Sequence, residues 1–417
     1  MTGRARQKGT KIPILDIPSL SNAYILPFFF TFIVLALYRS LRRLLLEERL
    51  DEDEDDDMLP LTYRSWTSLL IPLHICALAL AHIVQHELDS DLDLELSEIP
   101  LEQCSHTLIR QEWRTLSDAH KQQYIDAVKC TQSLPQITTF EGVQSRFDDF
   151  QAVHIHTADS IHYVGHFLPW HRRFVKIYET TLRNDCGYRG AIPYWDWTLD
   201  VHNGSSILNS PVFDPTTGFG GDGVPGTFNI SSLLSEAIIE SSQIYLPSFV
   251  GCVQDGPFAN FRVHLGPGKA IKEHCLMRGI DDEFTESLSR KAVEKALAQP
   301  TFEKFRVELE GGEDRPSEHG SGHLVIGGDL GNLYSSPADP LFFLHHANLD
   351  RLWWKWQTMD LRRRLTDISG KTLPFATPKH KTNVALDFML KYDRLAASIP
   401  IKEIMDVREF PLCYVYE

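Results

Sequence analysis

Apolar and polar positions follow different rhythms in different parts of this 417-residue chain. Residues 20–38 carry no charge and are rich in Phe, Leu and Ile, close to the ~20 residues that cross a bilayer. Residues 69–84 form a second apolar run, interrupted by Pro72, His74 and His82. From residue 104 onward the rhythm becomes helical. Ser117 followed by Asp118, then Tyr124, Ile125 and Val128, predicts a capped helix. Phe147, Phe150, Val153 and His154 repeat at helical spacing. Pro169, which suits a first helical turn, precedes Phe174, Ile177 and Tyr178, so a further helix is expected with His171 in its first turn. Residues 280–305 and the strongly aromatic stretch 339–357 also read as helices, whereas 200–270, rich in Gly, Pro, Ser and Asn, read as long loops. The predicted fold is mainly α, with an anchor region over 1–98 and a globular domain over 99–417.

Histidines fall where these helices begin and end. His162 lies nine residues before His171, across Gly165, so the two rings cannot share a straight helix; with His154 they approach one point from two helices and a junction. His319 and His323 are four apart in the segment SEHGSGH, which places both rings on one helical face. Gly320 and Gly322 weaken that helix by roughly 1 kcal/mol each relative to Ala, so a metal or a close backbone contact is expected to hold it. His345 and His346 follow near the start of the aromatic stretch. Two all-imidazole sets without cysteine or carboxylate suit copper rather than calcium or magnesium, which take oxygen ligands. A zinc hydrolase is disfavoured because HGSGH lacks the glutamate that supplies a general base in HExxH. The segment GPGKA lacks the spacing of a phosphate loop.

The net charge of −15 argues against nucleic-acid binding. Nine acids between Glu47 and Asp57 and six between Glu87 and Glu98 read as solvated linkers. Arg39, Arg42, Arg43, Arg49 and Arg64 lie between the two apolar runs, which by the positive-inside rule makes that loop cytoplasmic and the catalytic domain lumenal or extracellular. Arg4, Arg6, Lys8 and Lys11 pull the other way, leaving one or two spans open. Glycosylation sequons at Asn203 and Asn229 agree with a secretory placement. Outside Cys76, six cysteines allow up to three disulfides in fifteen connectivities.

The segments FLPWHRRF, PYWDW and DPLFFLHHANLDRLW together resemble the central domain of tyrosinases and catechol oxidases, the type 3 copper proteins, and are most similar to short fungal members. The resemblance covers about residues 104–417. It implies a four-helix bundle holding two copper ions, with His154, His162 and His171 on the first and His319, His323 and His346 on the second, and O2 as co-substrate. His156, His166 and His345 are not ligands in that pattern, although His156 and His154 are hard to tell apart by sequence. Ser160 stands where many relatives carry a cysteine linked to the second histidine, so no thioether is expected. Asp350 is the expected carboxylate behind a ligand histidine, with an ion pair to Arg351 as the alternative, and Phe342 and Phe343 are expected to wall the site. Hydroxylation of monophenols in the family is linked to a water held by a glutamate and an asparagine; Glu310 matches the first, but Gly320 occupies the second, and the bulk of Leu333 bears on access. The terminal Tyr414-Val415-Tyr416 resembles the close of the core, so no shielding domain and no proteolytic activation are expected. The implied activity is oxidation of catechols to o-quinones with slower hydroxylation of monophenols. The substrate would be a small phenol or a tyrosine-containing peptide, as in the fungal natural-product routes that short members of the family serve. The alternative is an O2 carrier of the haemocyanin kind.

Overall fold

A computed structural model describes residues 103–201, 205–312, 317–374 and 382–417. The apolar runs 20–38 and 69–84, the expected boundary at 98/99 and the sequon residue Asn203 lie outside the described residues. No helix among the described residues is long and apolar enough to cross a membrane.

Three helices form the first half of the core. Helix α1 (Asp118–Ser133) is capped by Ser117, whose side chain accepts from the His120 N–H. Helix α2 (Arg146–Ile161) opens on a capping box in which Ser145 and Asp148 each accept from the other's backbone. It turns Phe147, Phe150, Val153 and His154 inward. Helix α3 (Phe167–Asn184) starts two residues before Pro169, so His171 lies one turn inside rather than in the first turn.

The expected helix over 280–305 is broken. A 3-10 segment (Asp282–Leu288) ends where Ser289 caps a short helix (Arg290–Leu297), and Pro300-Thr301 starts helix α4 (Phe302–Glu310) anew. Helix α5 (Glu318–Leu324) is short, and helix α6 (Leu341–Thr358) buries nearly every side chain. A helix buried on all sides must be surrounded, and α6 lies against α3 and α5 in the middle of the main aromatic core. Helices α2, α3, α5 and α6 are the bundle that carries the histidines.

Strand β1 (Leu108–Arg110) pairs in parallel with strand β2 (Tyr414–Tyr416), Leu108 opposite Tyr414. Disulfides join Cys104 to Cys413, Cys130 to Cys186 and Cys252 to Cys275. The first ties the two ends of the domain; three such bonds belong to a chain that folds in an oxidising, secretory compartment.

Candidate metal centre

Six imidazoles meet between these helices in two sets, His154, His162, His171 and His319, His323, His346, with the ligand atoms of each set within 4.8 Å of one another. The most accessible, His323, is 9% exposed. The sets adjoin: the rings of His171 and His346 stack at 4.4 Å, and those of His162 and His319 lie 5.8 Å apart.

In four of the six rings a backbone carbonyl decides which nitrogen is free. The Nδ1 of His154 lies 2.8 Å from the Tyr334 carbonyl, that of His162 2.9 Å from Ala158, that of His171 2.9 Å from Phe167, and that of His323 2.9 Å from Leu330. A carbonyl only accepts, so Nδ1 carries the proton and Nε2 keeps its lone pair. Nε2 of His154, His171 and His319 is buried without any partner. Orphaned buried acceptors of this kind are rare in folded proteins, and a shared metal ion satisfies them. Burial also holds the rings neutral: it pushes His162 and His323 down to about 4 and the other four well below the ordinary range. The donor chemistry therefore fits two redox-active ions with imidazole ligands.

A pH dependence follows. Each of these histidines has a folded pKa below its unfolded value, so between about 6.5 and 4 the unfolded chain binds more protons, and stability falls as pH falls. His274 opposes this, because Asp329 beside it holds its pKa up against burial. The Glu310 and Glu112 carboxyls, pushed up by burial, oppose it too, but His166 and His345 are depressed like the six, and with eight groups against three the thermal midpoint of the metal-free domain is expected to drop from pH 6.5 toward 4. A midpoint flat across that window contradicts neutral rings.

Outside the two sets, three neighbouring histidines are engaged elsewhere. His156 is exposed, stacks on Phe140 at 4.0 Å and bonds to the Ala152 carbonyl, two positions and so about 200° around α2 from His154. His166 bonds to the Ser160 carbonyl and packs on Phe388. His345 lies between the Trp197 indole and the His319 carbonyl. Ser160 donates to the Thr157 carbonyl.

Asp350 is placed differently from expectation. Its carboxylate hydrogen-bonds no histidine: it accepts from Arg110 at 3.2 Å and from Arg172, Tyr414 and Tyr416 at 2.5 Å each. Arg351 pairs instead with Asp196. Asp350 thus fastens β1, α3, α6 and the C-terminal strand together, and its carboxylate is consumed by that junction. Phe342 does pack among the ligands, 4.1 Å from His346 and 5.3 Å from His154. Phe343, 100° further round α6, stacks on Tyr178 at 3.5 Å and belongs to the core rather than the site wall.

A cleft of about 160 Å³ opens onto the centre, lined by His162, His319 and His323 together with Glu310, Gly320 and Leu333. Burial pushes the Glu310 carboxyl up to about 7, although the Arg306 guanidinium beside it pulls the other way. Its second oxygen accepts from the Tyr163 N–H, holding a residue at φ +57 directly after His162. Gly320 has nothing within 4 Å of a Cβ built on it, whereas a Cβ on Gly322 would lie 2.1 Å from the His345 ring. The close contact expected for this helix therefore belongs to Gly322. Asn229 is exposed and caps a short helix (Ile230–Leu233).

The sequence did not disclose the loop between α5 and α6. It supplies the Leu330 and Tyr334 carbonyls and the Leu333 wall, and Asp329 pins it by accepting from His274 at 2.9 Å and from the Met277 N–H. Backbone carbonyls carry no residue signature; only Ala158 and Phe167, each four residues before a ligand, are implied by helix geometry.

A family profile described as the common central domain of tyrosinase matches residues 144–359. A tyrosinase-like protein of Diaporthe leptostromiformis is 37% identical over 342 residues, covering 76% of this chain and 79% of its own. An N-acetyl-6-hydroxytryptophan oxidase of Emericella nidulans is 32% identical over 355 residues, covering 76% and 94%. Among solved structures, a single-substitution variant of a polyphenol oxidase from Thermothelomyces thermophila is similar with a TM-score of 0.66 and 32% identity, over 80% of this chain and 94% of that one.

Proposed function

The chain belongs to the tyrosinase family of type 3 copper oxidoreductases, and from that premise we propose that it oxidises catechols to o-quinones with O2 and hydroxylates monophenols more slowly. The observation that carries this is the pair of buried imidazole triads, with Nε2 of His154, His171 and His319 unpartnered and those of His323 and His346 3.2 Å apart, at the floor of an open cleft. His154, His162 and His171 would hold one copper ion and His319, His323 and His346 the other; when bound, the pair accepts electrons from the phenol and passes them to O2. Each catechol yields two electrons and two protons, so two turnovers reduce one O2 to two waters.

The chain's own residues do the rest. The carbonyl bonds keep four ligand rings in place before metal arrives, which lowers the reorganisation needed on loading. Leu333 and Leu324 give the phenol ring apolar walls, and the space over Gly320 admits it beside His319 and His323. Glu310, with a pKa near neutrality, is the carboxylate in the cleft suited to take a proton. One relative is named for a hydroxylated amino-acid derivative, which supports a small hydroxylated aromatic, free or in a peptide, from a fungal natural-product route. Copper analysis and O2 uptake with catechol test the proposal: one copper per chain, or stoichiometric zinc without uptake, rejects it, and copper with reversible O2 binding but no quinone selects the carrier.

We further propose that residues 20–38, with or without 69–84, anchor the protein in a membrane and leave the catalytic domain lumenal or extracellular. Support comes from the apolar runs, the arginines between them, the sequons Asn203 and Asn229 and the three disulfides. Full-length protein is expected in the pellet after alkaline carbonate extraction, with a mobility shift on glycosidase treatment. Soluble, unglycosylated protein rejects the placement.

A further inference from the structure

The motif PYWDW ends on Trp197, to which the site as built assigns no part. Its indole N–H donates to His345 Nδ1 at 3.2 Å, and His345 Nε2 lies 3.1 Å from the His319 carbonyl. An indole N–H can only donate and a carbonyl can only accept, so both ends demand the same tautomer of His345, with the proton on Nε2. The His345 ring lies flat against α5, nearly parallel to the His319 ring at 6.0 Å, in the space Gly322 leaves by lacking a Cβ.

This chain of contacts matters because the two sets are held unequally. All three rings of the first set have Nδ1 fixed by a carbonyl; in the second, only His323 does. Nδ1 of His346 is buried without a partner, and among the described residues no hydrogen bond holds the His319 ring. His319 is therefore oriented by packing, edge-on to Phe167 at 4.7 Å, and through its backbone, whose carbonyl takes a bond from His345.

We propose that His345, held by Trp197, is a positioning residue for His319 and thereby for the second metal ion. This rests on the copper reading above. Without the indole N–H, the His319 carbonyl alone still selects the Nε2–H tautomer, but the buried Nδ1 of His345 loses its donor and the ring is no longer fixed at both ends where it meets that carbonyl.

Trp197→Phe removes the N–H and keeps the aromatic bulk. Trp195→Phe is the matched control: it too deletes a buried indole N–H, bonded to Asp200 at 2.9 Å, but one with no link to His345. Copper-loaded full-length proteins are dialysed against EDTA while copper per chain and the EPR signal of uncoupled Cu(II) are followed. Trp197→Phe is expected to lose its second ion about 10- to 100-fold faster than wild type and to develop that signal, in line with lost outer partners of metal ligands. Trp195→Phe is expected to keep both ions. His345→Gln retains an amide N–H for the His319 carbonyl and is expected to hold copper better than His345→Leu. Equal retention by Trp197→Phe and wild type overturns the proposal, as does equal loss from Trp195→Phe. Equal behaviour of His345→Gln and His345→Leu overturns it even if the tryptophan variants do not fold. A wild-type chain that binds no copper pair overturns the copper reading and this inference with it.

Discussion

His154→Ala is expected to leave one copper per chain and to lower catechol oxidation by more than about 10²-fold, since even partners behind a metal ligand are worth ~10–100-fold. The ring it removes is fully buried, bonded through Nδ1 to Tyr334 and open at Nε2 toward His162 and His171. Its loss takes away one of three donors and uncovers the Tyr334 carbonyl, so the remaining two rings cannot hold the ion against water. His156→Ala, two residues along the same helix, removes an exposed ring stacked on Phe140 and should leave metal content and turnover within about twofold. Metal analysis and O2 uptake on both variants decide the matter. Two coppers retained by His154→Ala, or a comparable loss in His156→Ala, reverses the assignment of ligand on α2.

That pair also marks how far sequence carries. The six ligand positions were legible because helical spacing and the Gly165–Pro169 junction constrain which rings can converge, and the family motifs fixed their identity. What failed were inferences that needed partners from far along the chain. Asp350 sits one turn after His346, which in sequence looks like a second line behind the metal. In the fold, that turn already faces Arg110, Arg172, Tyr414 and Tyr416, drawn from β1, α3 and β2. No local pattern announces a parallel pairing between residues 306 apart, such as Leu108 with Tyr414. Phe343 was misplaced for a simpler reason, since adjacent helical residues diverge by 100° and only one of Phe342 and Phe343 can face the site. The break in the expected 280–305 helix was written in Ser289 and Pro300, an N-cap and a stop signal outweighed by apolar periodicity.

Gly320→Asn is expected to raise monophenol hydroxylation relative to catechol oxidation, by a factor within the ~10²–10⁴-fold range of a well-placed general base. Glu310 and Gly320 both line the cleft that His162, His319 and His323 floor. The Glu310 carboxylate gives one lone pair to Tyr163 and one to Arg306, which leaves others free for a water in the cleft. Glycine offers that water nothing, so it has one anchor where an asparagine would provide a second. A Cβ is accommodated there without a clash, since no atom of the surroundings lies within 4 Å of it. Glu310 has its pKa pushed up to about 7, so it is a proton acceptor above that pH and a neutral acid below it. The hydroxylation gained in Gly320→Asn should therefore rise with pH through about 7, while catechol oxidation, which needs no such water, should change less over the same interval. Initial rates on a matched monophenol and catechol from pH 6 to 8 give both readings. A ratio that stays put in Gly320→Asn assigns the preference to Leu333 and access instead, and a raised ratio without the pH dependence takes Glu310 out of the proton transfer.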